Sequence, residues 1–216
     1  MAAIATQPLE RVVLHDLSWD LYDRLLGELG DSPSTRLTYD NGLLQIMVIS
    51  AAHDAPNRTL ASIVSIVAEE TGTDLCNLGS TTMQRPDLLK GFEPDSCFYF
   101  RDAAYVRGRN EIDLLRDPAP ELIIEVDVSS SSLNRFPIFA AVGVAEVWHY
   151  SRETVTIHTL HDGAYVIASN SRAFPLVTAE KLTELTNDSR QKVWPVWTRE
   201  LREWVRAATK STSPQP

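Results

Sequence analysis

Cysteine is nearly absent from this chain. Its 216 residues hold two, Cys76 and Cys97, and neither lies in a C-x-x-C or Cys/His pattern. That argues against a zinc site and fits a reducing cytosol. Basic residues are also in short supply, with 20 Lys and Arg against 29 Asp and Glu and a formal net charge of -9. Strong sequence-independent nucleic-acid binding runs on Lys and Arg releasing counterions from phosphate, so the acidity argues against it. It does not exclude a metal-dependent enzyme acting on nucleic acid, because bound cations offset acidity locally. No apolar run approaches the length of a membrane span, and "MAAIATQPLERVV" has no basic stretch followed by a long apolar one. Neither a membrane partner nor a signal peptide is expected, which places the chain in the cytoplasm. Internal repeats and low-complexity linkers are missing too.

What is present suits one ordinary domain. Hydrophobic residues make up 44% and charged residues 23%, enough for a real core under a normal surface. The expected organisation is a loose lead-in over 1–16, one α/β domain over 17–208, and a disordered polar tail over 209–216. "LSWDLYDRLLGELG" reads as a helix capped by Ser18, with Leu21, Leu25, Leu26 and Leu29 on one face and Gly30 ending it. "RLTYDNGLLQIMVI" is a hairpin signal, because Asn41-Gly42 is the pair favoured in tight type I′ turns. From Asn57, Leu60, Ile63, Val64 and Val67 recur at helical spacing until Gly72. "DSCFYF" is a strand with Cys97 and Tyr99 on one face. A helix is expected over 131–142, a hairpin turning at Asp162-Gly163, and a final helix packed through its Trp residues 194, 197 and 204.

The chemistry centres on "ELIIEVDVSSSSLNR". Its apolar run is interrupted by Glu125 and Asp127, two residues apart and therefore on one face of a strand. A strand end reaching solvent would tolerate both. A third carboxylate, Asp95 in "FEPDSCFYF", sits in a similar setting. Carboxylates meeting on neighbouring strands repel each other unless a cation joins them, and divalent cations take oxygen ligands. Arg135 follows a serine cluster at the start of the expected helix, close to that acid site. A metal ion with an adjacent basic side chain is what phosphodiester hydrolysis needs. His149, His158 and His161 read as surface or packing residues, and His53 as a helix-start residue or one supporting a ligand.

At "EPDSCFYF", "LIIEVDVSSSSLNRFPIFAAVGVAEVWHY" and "RLTYDNGLLQIMVISAAHDAPNR" the sequence resembles the Uma2 (DUF820) family of endonucleases, from about Trp19 to about Leu185. The resemblance implies a restriction-endonuclease-like α/β fold, with a mixed β-sheet flanked by helices and an N-terminal β-hairpin. It implies an endonuclease using Mg2+ or Mn2+ on a nucleic acid substrate, DNA by preference. It makes Asp95 and Glu125 metal ligands and puts Asp54, beside His53, near a third acidic position. Asp127 stands where the superfamily often has lysine, and Arg135 stands where Uma2-like proteins carry theirs. A guanidinium stabilises charge but cannot act as a base. Asp127 is left as a ligand or as a partner that positions Arg135. A non-catalytic binding or regulatory protein on the same fold is the competing reading, and a homodimer, in which two subunits would cut together, is left open. If the chain is a nuclease, Lys90, Arg101, Arg107 and Arg109 are expected to flank the site as a phosphate track.

Overall fold

The computed structural model describes residues 11–29, 35–109, 111–127 and 133–212. Two six-stranded mixed sheets form, where one central sheet was expected. The first has the order β1-β3-β2-β6-β5-β8, built from β1 (Arg11–Leu14), β3 (Leu43–Val48), β2 (Thr35–Asp40), β6 (Lys90–Phe92), β5 (Met83–Arg85) and β8 (Ile112–Asp113). The second runs β12-β11-β10-β9-β7-β4, from β12 (Ala164–Ala168), β11 (Thr154–His161), β10 (Glu146–Ser151), β9 (Leu122–Asp127), β7 (Ser96–Tyr99) and β4 (Cys76–Gly79). Helices are α1 (Trp19–Leu29), α2 (Ala51–Thr71), the single turn α3 (Ala103–Val106), α4 (Phe136–Val142), α5 (Ala179–Asp188) and α6 (Trp194–Thr212).

Turn chemistry sets both hairpins. Asn41 and Gly42 have φ of 47° and 92°, and Asp162 and Gly163 have 48° and 81°, the doubly left-handed geometry that matches strand twist. The β2–β3 hairpin belongs to the first sheet, and β1 extends it by pairing antiparallel with β3. Residues 11–14, expected in the lead-in, are therefore a strand. Ser18 does cap α1, its Oγ accepting from Leu21 N–H. The buried face of α1 is centred on Tyr22, stacked on Tyr39, while Leu21 and Leu29 are exposed. Tyr22 comes so close to β6 that a Cβ on Gly91 would lie 2.2 Å from its hydroxyl.

The second sheet is covered on both faces, which is why its central strands read as almost continuous apolar runs. On one face, Leu122, Ile124 and Val126 of β9 pack with Trp148 of β10 against α2, α5 and α6. On the other, Ile123 and Val147 pack against α4 and against Met83 and Phe92 of the first sheet. Strand alternation puts Glu125 and Asp127 on this second face, toward the first sheet.

Helix α4 is the crossover between the parallel strands β9 and β10. It starts at Phe136, not at Ser131, because Pro137 fits a first turn and would break a continuous helix. Arg135 is thus the residue before the helix, and the serines at 129–132 fall outside the described residues. Trp197 is buried as expected, but Trp194 is largely exposed. Helix α6 continues through Thr212, past the expected boundary at 208. No helix among the described residues is long and apolar enough to cross a membrane.

Candidate active site

Strands β7 and β9 are antiparallel, with Ser96 opposite Ile124. One step further along this register puts Asp95 opposite Glu125. The two carboxylates are cross-strand neighbours, at the spacing where like charges destabilise a sheet. Both are buried, Asp95 at 4% exposure and Glu125 at 7%. Asp95 uses Oδ2 to accept from Val126 N–H at 2.8 Å, so it caps the ladder where strand pairing ends. Helix α2 fixes it from the other side. Asn57 Nδ2 donates to the Asp95 carbonyl at 3.1 Å, and Ser96 Oγ donates to Asn57 Oδ1 at 2.8 Å. One turn earlier, buried His53 brings Nε2 to 3.4 Å from Asp95 Oδ2.

Arg135 enters between the sheets from the segment before α4. It pairs with Glu125 Oε2 through one terminal nitrogen, and its other donates to the Glu93 carbonyl at 2.6 Å. It is only 9% exposed. Asp127, one pleat further along β9, lies nearer the surface. His149, paired on β10 with Glu125, sends Nε2 to 2.8 Å from Asp127 Oδ2. Arg11 of β1 lies 3.7 Å from Asp127 Oδ1.

These surroundings drive the titrations apart. Burial raises the Asp95 carboxyl above its ordinary range, against the pull of His53, Arg135, the Val126 N–H and Arg36. Burial raises Glu125 strongly, Arg135 opposing and the charges of Asp95 and Asp127 adding to the rise. Burial would raise Asp127 too, but the His149 hydrogen bond and the charges of His149, Arg11 and Arg135 hold it below its ordinary value.

Four carboxylate oxygens belong to Asp95 and Glu125, and two of them, Asp95 Oδ1 and Glu125 Oε1, are buried without a hydrogen-bond partner among the described residues. An anionic oxygen left this way costs more than a hydrogen bond returns, unless something positive meets it. The pair fits a divalent cation. Among the described residues no three Asp, Glu, His or Cys side chains gather closely enough to hold an ion on their own. Two carboxylates suffice for a divalent cation that completes its shell with water and phosphate.

The structure thus brings Asp95, Glu125, Asp127 and Arg135 to one place. Asp54 goes elsewhere. On α2 its neighbour His53 turns inward, while Asp54 turns out to Arg58, 2.5 Å away. Asp127, left open as a ligand or as a partner that positions Arg135, hydrogen-bonds His149 and lies near Arg11. His149, expected as a surface or packing residue, is a member of the site, and so is Arg11. Arg36 also bears on it through the charge it presents to Asp95. The residues expected as a phosphate track each form an ion pair: Lys90 with Asp40, Arg101 with Asp102 and Glu121, Arg107 with Asp74, and Arg109 with Asp117. In so acidic a chain each of these cations has a carboxylate within reach.

Acidic residues on adjacent strands of a mixed sheet, reached by an arginine from the crossover, are set in a fold shared with a nuclease-type protein. A solved structure from Anabaena variabilis, described as a putative nuclease belonging to DUF820, superposes with a TM-score of 0.53 at 13% identity, over 78% of this chain and 98% of that one. The model of the Uma2 family, described as "Putative restriction endonuclease", matches residues 19–187, and the chain belongs to that family. No curated protein matches the sequence.

Proposed function

We propose that this chain is a Mg2+- or Mn2+-dependent endonuclease that hydrolyses phosphodiester bonds, with DNA as substrate. The observation that carries this reading is the pair of unpartnered oxygens, Asp95 Oδ1 and Glu125 Oε1, buried on adjacent strands beside a guanidinium. Those two oxygens would hold the ion. Bound there, it would supply Lewis-acid polarisation of a phosphate oxygen and a water of lowered pKa. The chain's own groups do the rest. His53 and the Val126 N–H fix Asp95 through its other oxygen, Oδ2. Arg135 holds Glu125 and keeps Nε unpartnered, a donor for the charge that develops on phosphate. A guanidinium does not give up its proton at working pH, so Arg135 is assigned no base role. His149 and Arg11 keep Asp127 charged at the rim.

A second reading has its own observation. The Arg135–Glu125 pair supplies a cation to one ligand oxygen from within the chain, as would suit a nuclease fold retained for binding or regulation without cleavage. Incubation of supercoiled plasmid with Mg2+ or Mn2+, against an Asp95→Ala control, separates the two. Nicking by wild type alone supports the endonuclease. Intact plasmid, with several DNA and RNA substrates also uncut, favours the second reading.

A further inference from the structure

A cavity of about 330 Å3 opens beside the acid site, between α4 and the β11–β12 hairpin. Its size falls within the range of small-molecule sites. Its lining includes Phe136, His158 and Tyr165, with Asn134 at one edge and Gly163 and Ala164 of the hairpin at the other. The Phe136 ring centroid lies 4.6 Å from that of His158 and 5.4 Å from that of Tyr165. Three aromatic side chains, one of them an imidazole, therefore meet at the cavity.

The cavity is linked to the acid site through the segment before α4 and through His149. Asn134 and Phe136 flank Arg135, whose side chain turns inward to Glu125. On the cavity side, Phe136 touches His149 edge-on, ring centroids 5.8 Å apart, and His149 holds Asp127. One residue thus separates the group that would meet phosphate from the ring that lines the cavity.

Among the described residues, the lining has no Lys, Arg, Asp or Glu. Burial, with His149 adding to it, holds the His158 imidazole below its ordinary value, so it is uncharged at neutral pH. A cavity of neutral aromatic groups with an amide in its lining suits a flat heteroaromatic ring and presents no charged partner to a phosphate. Aromatic faces give base stacking regardless of sequence. The base of a nucleotide hangs one sugar away from its phosphate.

We propose that this cavity receives the unpaired base of the nucleotide next to the phosphate bound at Asp95, Glu125 and Arg135. The choice of occupant rests on the nuclease reading. A base held there has left its stack, so the substrate is single-stranded at that position or is opened on binding, at least cost where pairing is already broken.

The test plugs the cavity from its solvent side. Ala164 is exposed at the start of β12, so Ala164→Phe fills the space without touching the acid site, and Ala164→Ser leaves it open. The probe is 2-aminopurine nucleoside 5′-monophosphate, which has no phosphodiester to cut, titrated by fluorescence in Mg2+. Saturable quenching by wild type and Ala164→Ser, weakened on the order of tenfold or more in Ala164→Phe, is expected from the loss of one stacked base. Phe136→Leu, which keeps apolar bulk but removes a ring, should weaken it as well. No saturable quenching by wild type, or equal quenching by all four proteins, overturns the proposal. Cleavage of single-stranded DNA by the same proteins tests the nuclease reading separately. Cutting without plug-sensitive quenching removes the base pocket and leaves the nuclease. Plug-sensitive quenching without any cutting supports the pocket and removes the nuclease.

Discussion

Glu125 on β9 and Glu146 on β10 occupy neighbouring strands and are both buried, yet they face opposite sides of the sheet and are treated in opposite ways. Glu146 points to the side covered by α2, α5 and α6. It accepts from Trp148 Nε1 at 2.5 Å, Ser171 Oγ at 2.6 Å, and the backbone N–H groups of Arg172 and Ala173. Both of its oxygens are met by donors, and it ties the 171–173 segment to the sheet. Glu125 points toward the first sheet, has one oxygen on Arg135 and the other without a partner among the described residues, and faces Asp95 across the strand pair. Burial of a carboxylate therefore does not mark a site. What distinguishes Glu125 is burial with acceptor capacity left over, next to a second acid in the same condition. Such an arrangement lowers stability and is expected where a ligand repays it.

Substitutions should pull this contrast apart, and the largest effect is on activity. Asp95→Ala or Glu125→Ala should lower cleavage by on the order of a thousandfold, several kcal/mol of transition-state stabilisation. Without metal, relief of the carboxylate repulsion offsets part of the cost of leaving Arg135 or the Val126 N–H without its acceptor, so thermal stability should fall less than in Glu146→Ala. Next comes Glu146→Ala, which leaves four donors unmet. A loss of about 3 kcal/mol is expected, a melting temperature lower by roughly 6–12 °C for a chain of this size. Activity per folded molecule should be unchanged. If Glu125→Ala destabilises as much as Glu146→Ala, the contrast fails.

Arg135 comes third. Arg135→Ala should slow cleavage on the order of a hundredfold, the usual loss of a preorganised charge-stabilising group. Arg135→Lys should cut as well as wild type or better, since a lysine supplies the same charge. Equal rates for all three proteins would make Arg135 a bystander to the chemistry.

The smallest effect is on pH dependence without metal. A carboxyl whose folded pKa is raised binds protons more readily in the native state. Its contribution to stability is fully present below the ordinary value of 4.5 for Glu125 and is lost as pH rises from there through the raised value. Glu125→Gln resembles the protonated form. Its stability relative to wild type should grow across that window as pH increases. Chemical denaturation at a series of pH values in EDTA reads this directly, and a gap that stays flat or shrinks contradicts the raised titration.

Much of this was legible from residues close together in the chain. Asn41-Gly42 and Asp162-Gly163 announce their hairpins because the turn geometry is local. Alternation within "LIIEVDV" puts Glu125 and Asp127 on one face for the same reason. Asp95 next to Glu125 followed from two apolar strands ending in acids, read together with the family resemblance. What stayed hidden depends on pairing between distant segments. Nothing near His149 tells that β10 runs parallel to β9 in the register that brings it to Asp127. Arg11 and Arg36 reach the site because the first sheet packs over the second, an arrangement of distant segments that strand patterning does not reveal. The choice of His53 over Asp54 turns on the 100° step between successive helix positions. That could have been found by continuing the Leu60–Ile63–Val67 face back to the helix start.

If Asp95 Oδ1 and Glu125 Oε1 together take up a divalent cation, thermal unfolding in increasing Mn2+ or Mg2+ reads its binding. A ligand bound only by the native state stabilises it by about 2.7 kcal/mol at a hundred times its dissociation constant, a rise of roughly 5–11 °C here. The account predicts that rise in wild type and its loss in both Asp95→Ala and Glu125→Ala. A rise of the same size in all three proteins, or none in wild type, would contradict it.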